Sequence, residues 1–138
     1  LVAQVIHATN DTMIKVSLAD IDPTAVCNDG TPAAYYWKKS PTNSNRWLVF
    51  LMGGWMCWDK ASCENRWKND PRPNHMAMSS TNFTDTLSMS GIFSPDEKES
   101  PMWDANKAFL YYCSSDQHMG ELGGPSKATD LWGLKFRG

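Results

Sequence analysis

No stretch of this 138-residue chain approaches the roughly 20 consecutive apolar residues that a helix needs to span a bilayer. No basic cluster exceeds Lys38-Lys39, and the formal charge is −2. The electrostatic footprint of a nucleic-acid binder is therefore missing. Leu1 opens no signal pattern of basic, apolar and small-residue regions, so the start reads as processed or trimmed. Internal repeats and low-complexity tracts are also lacking. With 41% hydrophobic and 20% charged residues, the composition is that of a folded domain with a core.

Cysteines are few and none forms a Cys-x-x-Cys. Cys27, Cys57, Cys63 and Cys113 allow three disulfide pairings, which spacing alone leaves open. Zinc sites place cysteines two to four residues apart with more Cys or His nearby, so disulfides are expected rather than a metal. The sequons at Asn10 and Asn82 suit a glycosylated, secreted protein.

Met13 to Leu18 alternates as a half-buried strand does, and Ala33 to Trp37 reads as its antiparallel partner. Between them Asn28-Asp29-Gly30 offers residues that tolerate positive φ. Trp47 to Met52 is continuously apolar, which predicts a strand buried on both faces of a parallel sheet. Glu64 to Trp67 predicts a short helix ended by Pro71 and Pro73. Residues 74–101 read as loop, docked by Phe83, Leu87, Ile92 and Phe93, before a third buried strand within Ala105 to Cys113. Two apolar strands with a crossover between them predict an α/β fold: parallel neighbours preceded by an antiparallel hairpin, in one domain or part of one.

The apolar strand runs directly into Gly53-Gly54-Trp55. Glycines there let backbone N–H groups face a ligand without side-chain obstruction, as an oxyanion-binding loop requires. A Gly-Gly after a strand is by itself an ordinary tight turn. The nucleophile that would complete such a site is not present: no Gly-x-Ser-x-Gly occurs, and Ser126 lacks a preceding strand and a second glycine. His7, His75 and His118 lie in polar sequence and are expected to serve surface or packing roles.

Five ordered blocks resemble the Notum and pectin acetylesterase family. These are Val26 to Tyr36, Trp47 to Trp55, Cys57 to Cys63, Ser90 to Ser94 with Trp103 to Asn106, and Tyr112-Cys113-Ser114-Ser115-Asp116; the closing Phe136-Arg137-Gly138 is similar too. The resemblance covers about residues 13–138, with a form more like the Notum branch, which removes palmitoleate from Wnt proteins. It implies an α/β-hydrolase-like fold, of which residues 1–138 form a single partial domain, the amino-terminal part, with the serine, aspartate and histidine of the triad beyond Gly138. It also implies an oxyanion hole at Gly53, Gly54 and Trp55, with Gly54 and Trp55 donating N–H groups, and an acyl pocket lined by Trp55 and Met56. The implied disulfides are Cys27–Cys113 and Cys57–Cys63.

Asp116 matches a position read as structural. Met52 departs from the family, which has Glu before the glycines. No metal, cofactor or catalytic side chain is expected within the segment, which alone should be inactive. The implied substrate is an O-palmitoleoyl ester on a lipidated, Wnt-like secreted protein, or an O-acetyl ester on a polysaccharide. Two further readings stand beside it: a non-catalytic secreted acyl- or glycan-binding relative, and an unrelated disulfide-stabilised domain, which a Cys27–Cys57 pairing would favour.

Overall fold

A computed structural model describes residues 12–71, 75–120 and 131–138. Five strands and one α-helix run in the order β1 (Thr12–Ser17), β2 (Ala34–Lys38), β3 (Trp47–Leu51), α1 (Lys60–Asn69), β4 (Thr86–Ser88) and β5 (Asn106–Leu110). The strands form one mixed sheet ordered β3-β5-β2-β1-β4. β1 and β2 are the antiparallel pair expected, with Val16 opposite Tyr35. The expected parallel pair also forms, β3 beside β5 with Val49 opposite Ala108.

The turn between β1 and β2 closes where Gly30 N–H donates to Cys27 O at 2.9 Å, with Gly30 at φ +88°, a conformation that costs glycine least. Period-two alternation then assigns the sheet's faces. Met13, Tyr36 and Phe109 lie at 1–5% exposure on one face. Phe93, from a 3-10 turn at Gly91–Phe93, covers them together with Leu87, Met89 and Leu48. The loop-rich stretch thus docks through Phe83, Leu87 and Phe93, whereas Ile92 is 41% exposed and is no anchor. The stretch also contributes a short strand the sequence reading missed: β4 pairs with β1, Met13 opposite Leu87.

Burial of β3 on both faces is not what the structure shows. Trp47, Val49 and Leu51 are 56%, 59% and 55% exposed, and Phe50 is 40% exposed. β3 is an edge strand, paired on one side with β5, and among the described residues no strand pairs with its other side. An apolar run measures how much burial a strand favours, and coverage must come from other elements. A bare apolar edge is a template for pairing. The 138-residue chain is therefore expected to self-associate with rising concentration, and Val49→Lys should suppress this in sedimentation velocity. Equal association of the variant would locate the contact elsewhere.

Both disulfides match the pairing that the resemblance implies, Cys27–Cys113 and Cys57–Cys63. The alternative that rested on a Cys27–Cys57 link is thereby excluded. Asn10 lies outside the described residues, as do His7 and Ser126, while Asn82 is exposed. Among the described residues no helix is long and apolar enough to cross a membrane.

Candidate active site

The ladder between β3 and β5 ends where Met52 N–H donates to Leu110 O at 3.0 Å. Beyond it the chain leaves the sheet at its carboxyl edge. It is caught again where Cys57 N–H donates to Ser115 O at 3.2 Å. Between these points, no hydrogen bond among the described residues uses the N–H of Gly53, Gly54 or Trp55. The amides are not consumed by sheet or turn bonding. Trp55 has φ +68°, a region that costs a bulky residue of order 1–3 kcal/mol and persists only where surroundings enforce it.

That enforcement comes from α1. The helix begins at a capping box: Asp59 accepts from Ser62 N–H at 2.7 Å, and Ser62 Oγ accepts from Asp59 N–H at 3.0 Å. Hydrogen bonding from Ser62 holds the Asp59 carboxyl below the ordinary carboxylate range. Its contribution to stability is thus complete above about pH 4 and is lost as pH falls through the lowered folded value. The helix stops at Asn69, because Asp70 adopts the extended ψ of 119° favoured before Pro71. It is longer than the four residues read from sequence, and only Cys63 is buried on it.

Cys63 binds the helix covalently to Cys57 in the loop, and Arg66 lies one turn further on. The Arg66 guanidinium donates from Nη1 to Gly54 O at 2.6 Å and from Nε to Ser115 Oγ at 2.9 Å. Ser115, fully buried, donates in turn to Asn28 Oδ1 at 2.5 Å. Asn28, also fully buried, donates to Ser114 O at 2.8 Å and Lys135 O at 2.7 Å. The sequence reading took Asn28 only as a turn residue and missed Arg66 and Ser115. One signal was available: Arg66 is three residues beyond Cys63 and so shares the helix face that the short bridge turns toward the loop.

The Gly-Gly-Trp turn lines two neighbouring hollows. One, about 410 Å³, has Met52, Trp55, Met56 and Trp58 on one wall and Ser62, Asn65, Arg66 and Asn69 of α1 on the other. The second, about 170 Å³, adds Tyr112, Gln117 and His118. Trp55 is 74% exposed and Met56 38%, so the apolar wall is open. The Met52 side chain, at the position where the resemblance implies a glutamate, packs against the cluster of Met13, Tyr36, Phe93 and Phe109. Its carbonyl accepts from His118 Nε2 at 3.0 Å in the tautomer that protonates that nitrogen.

His118 and His75 stand against aromatic rings rather than in polar surroundings. The His118 ring is 4.8 Å from Tyr112, and His75 stacks on Trp67 at 4.2 Å. Asp116 accepts from Ser114 Oγ at 2.6 Å, from His118 N–H at 3.2 Å and from Gly138 N–H at 2.7 Å, which ties the loop after β5 together.

A family model described as pectinacetylesterase matches residues 7–138. Over 98 residues the chain is 48% identical to the protein named inactive palmitoleoyl-protein carboxylesterase notum1b of Danio rerio, covering 70% of this chain and 67% of that one. It is 44% identical over 116 residues to palmitoleoyl-protein carboxylesterase notum1a of the same fish, covering 83% of this chain and 21% of that one. A crystal structure of the Wnt deacylase Notum from Drosophila aligns with a TM-score of 0.74 at 36% identity, covering 91% of this chain and 34% of that one. The chain thus spans about a fifth of notum1a and about a third of the Drosophila structure. The match reaches from ahead of β1 to Gly138 and takes in the Gly-Gly-Trp turn and both disulfides, and on that ground the chain belongs to the Notum and pectinacetylesterase family.

Proposed function

We propose that the intact protein carrying this chain is a secreted carboxylesterase of the α/β-hydrolase type, with the chain supplying its oxyanion-binding turn. Acyl transfer places negative charge on the ester carbonyl oxygen, and preoriented N–H donors stabilise that charge by an amount worth about 10²–10³-fold in rate for each donor. The observation that supports this role is the turn at Gly53, Gly54 and Trp55, which lines an open cleft and whose amides have no hydrogen-bond partner among the described residues. In this reading Gly54 and Trp55 donate, and Gly53 permits the turn. Trp55 and Met56 form an apolar wall for the acyl chain, and a methionine beside an aromatic ring gives that wall an adaptable shape. The serine nucleophile, its histidine and its acid lie on residues outside this chain. The favoured substrate is a palmitoleoyl ester on a secreted lipidated protein of the Wnt type, in keeping with what the relatives are named for. An exposed Asn82 suits a glycan on the same secreted protein.

The test is hydrolysis of a palmitoleoylated Wnt-derived peptide by the intact protein, measured by mass spectrometry beside acetylated pectin. Deacylation that a serine-directed fluorophosphonate abolishes is the expected result. The 138-residue chain alone should give no turnover, since oxyanion donors without a nucleophile achieve little. Release of acetate alone would move the substrate to polysaccharide, and no turnover of either would overturn the enzyme reading.

A second reading, a non-catalytic secreted acyl- or glycan-binding relative, draws on one observation, that the relative with 48% identity is named inactive, and on Met52 standing where the resemblance implies a glutamate. Saturable binding of palmitoleate without turnover would select it.

A further inference from the structure

We infer that Arg66 is a positioning residue for the oxyanion turn, and that a buried polar chain from Asn28 through Ser115 holds it in place. The inference rests on the esterase reading for its catalytic consequence, although the geometry is independent of it. A peptide group is planar and trans, so its carbonyl and its N–H point to opposite sides. No cis peptide occurs among the described residues. The carbonyl of Gly54 and the N–H of Trp55 belong to one peptide. By seizing Gly54 O at 2.6 Å, Arg66 fixes which way the Trp55 N–H faces.

The alternative orientation is close at hand. A flip of this peptide changes only ψ of Gly54, which a glycine absorbs readily, and φ of Trp55, which sits at +68°, where a tryptophan gains by relaxing. Something must hold the strained state. The short disulfide sets the distance between loop and helix, but a bridge at Cys57 does not dictate the rotation of a peptide two residues earlier. The guanidinium does, because it is a planar fork whose donors leave in fixed directions. Nε is anchored on Ser115 Oγ, Nη1 holds Gly54 O, and Nη2 reaches Ala77 O at 3.4 Å. The Tyr112 ring lies 5.9 Å below the guanidinium carbon. Ser115 is rigid in turn, since its hydroxyl proton is committed to Asn28 and Asn28 is committed to two carbonyls. The turn at Cys27 to Gly30 and the loop after β5 are thereby connected to the one peptide whose direction matters.

The experiment uses the intact protein with [15N]tryptophan labelling, and reads both the Trp55 amide order parameter and steady-state ester hydrolysis. In the wild type the Trp55 amide should be rigid, about 0.85, and in Arg66→Ala it should fall below about 0.6. The same substitution should lower kcat about 10²-fold with KM within about threefold, because the lost orientation matters only once the oxyanion has formed. Arg66→Lys should recover little, and millimolar guanidinium should restore part of the Arg66→Ala rate. Ser115→Ala removes only the outer brace and should cost about 3–10-fold, which keeps a folded variant available if Arg66→Ala does not fold. A Trp55 amide that stays rigid in Arg66→Ala, or a kcat unchanged in that variant, would overturn the inference. A wild type that hydrolyses nothing defeats the esterase reading instead, and the order parameter alone then decides the role of Arg66.

Discussion

Replacing Cys27 and Cys113 together by alanine should lower the stability of the protein by about 4–5 kcal/mol, a drop of about 10–20 °C in melting temperature for a domain of this size. The bridge spans a sequence separation of 86, and the chain between its ends contains β2, β3, α1, β4 and β5. Opening it returns to the unfolded chain the freedom of a very long loop, which in the loop-entropy account makes it the stronger of the two bridges. Both sulfurs are buried, and the junction is reinforced where Asn28 N–H donates to Cys113 O at 2.9 Å. Removing Cys57 and Cys63, separated by only 6, should cost about 2 kcal/mol by the same reasoning. The two alanine pairs are compared by urea unfolding, where the midpoint should move more than the slope. If the short pair cost as much as the long one, strain or residual structure, not loop entropy, would govern both.

The long bridge matters to the site as well as to stability. It joins the turn that presents Asn28 to the loop that presents Ser115, and these two side chains brace Arg66. Loss of the bridge should therefore loosen the Gly54–Trp55 peptide, although neither cysteine touches it.

What was legible in the sequence was whatever depends on local pattern. β1, β2, β3 and β5 each carry an apolar signature dense enough to be seen, and the long crossover between β3 and β5 pointed to a parallel pair. β4 was invisible because Thr86-Leu87-Ser88 has one apolar residue and no period to measure. The first turn of α1 was missed for a related reason: the helix buries only Cys63, and its capping box uses Ser62 where glutamate or glutamine is the usual signal. The exposure of β3 could not be read from its own residues, since coverage is a property of the neighbours. The site divides along the same line. Gly53-Gly54-Trp55 is contiguous and follows a strand, so it stood out. The Arg66 contacts reach a carbonyl 12 residues away and a hydroxyl 49 residues away, and Asn28 lies 87 residues from Ser115; no local pattern encodes such distances.

Lys107 stands just ahead of the apolar run of β5 and carried no signal in the sequence, yet it supports the second large expected effect. It lies on β5 at 2% exposure, with Nζ donating to Phe93 O at 2.6 Å and Ser94 O at 3.1 Å. Both carbonyls belong to the carboxyl end of the 3-10 turn, where backbone oxygens left without a partner within the turn favour a cation. Lys107→Met keeps the aliphatic length but leaves the two carbonyls without their charged donor. Hydrogen bonds to charged groups contribute about 1.5–3 kcal/mol each, while the variant is relieved of keeping an ammonium out of water. The net loss should be about 3 kcal/mol, read from urea unfolding. Because Phe93 closes the face formed by Met13, Tyr36 and Phe109, the damage should appear first as faster amide exchange in the segment from 91 to 94. Lys107→Ala, which adds a cavity to the same unpaired carbonyls, should be worse than Lys107→Met. If methionine were tolerated without cost, the desolvation of the ammonium would equal its hydrogen bonds, and Lys107 would be present for something other than stability.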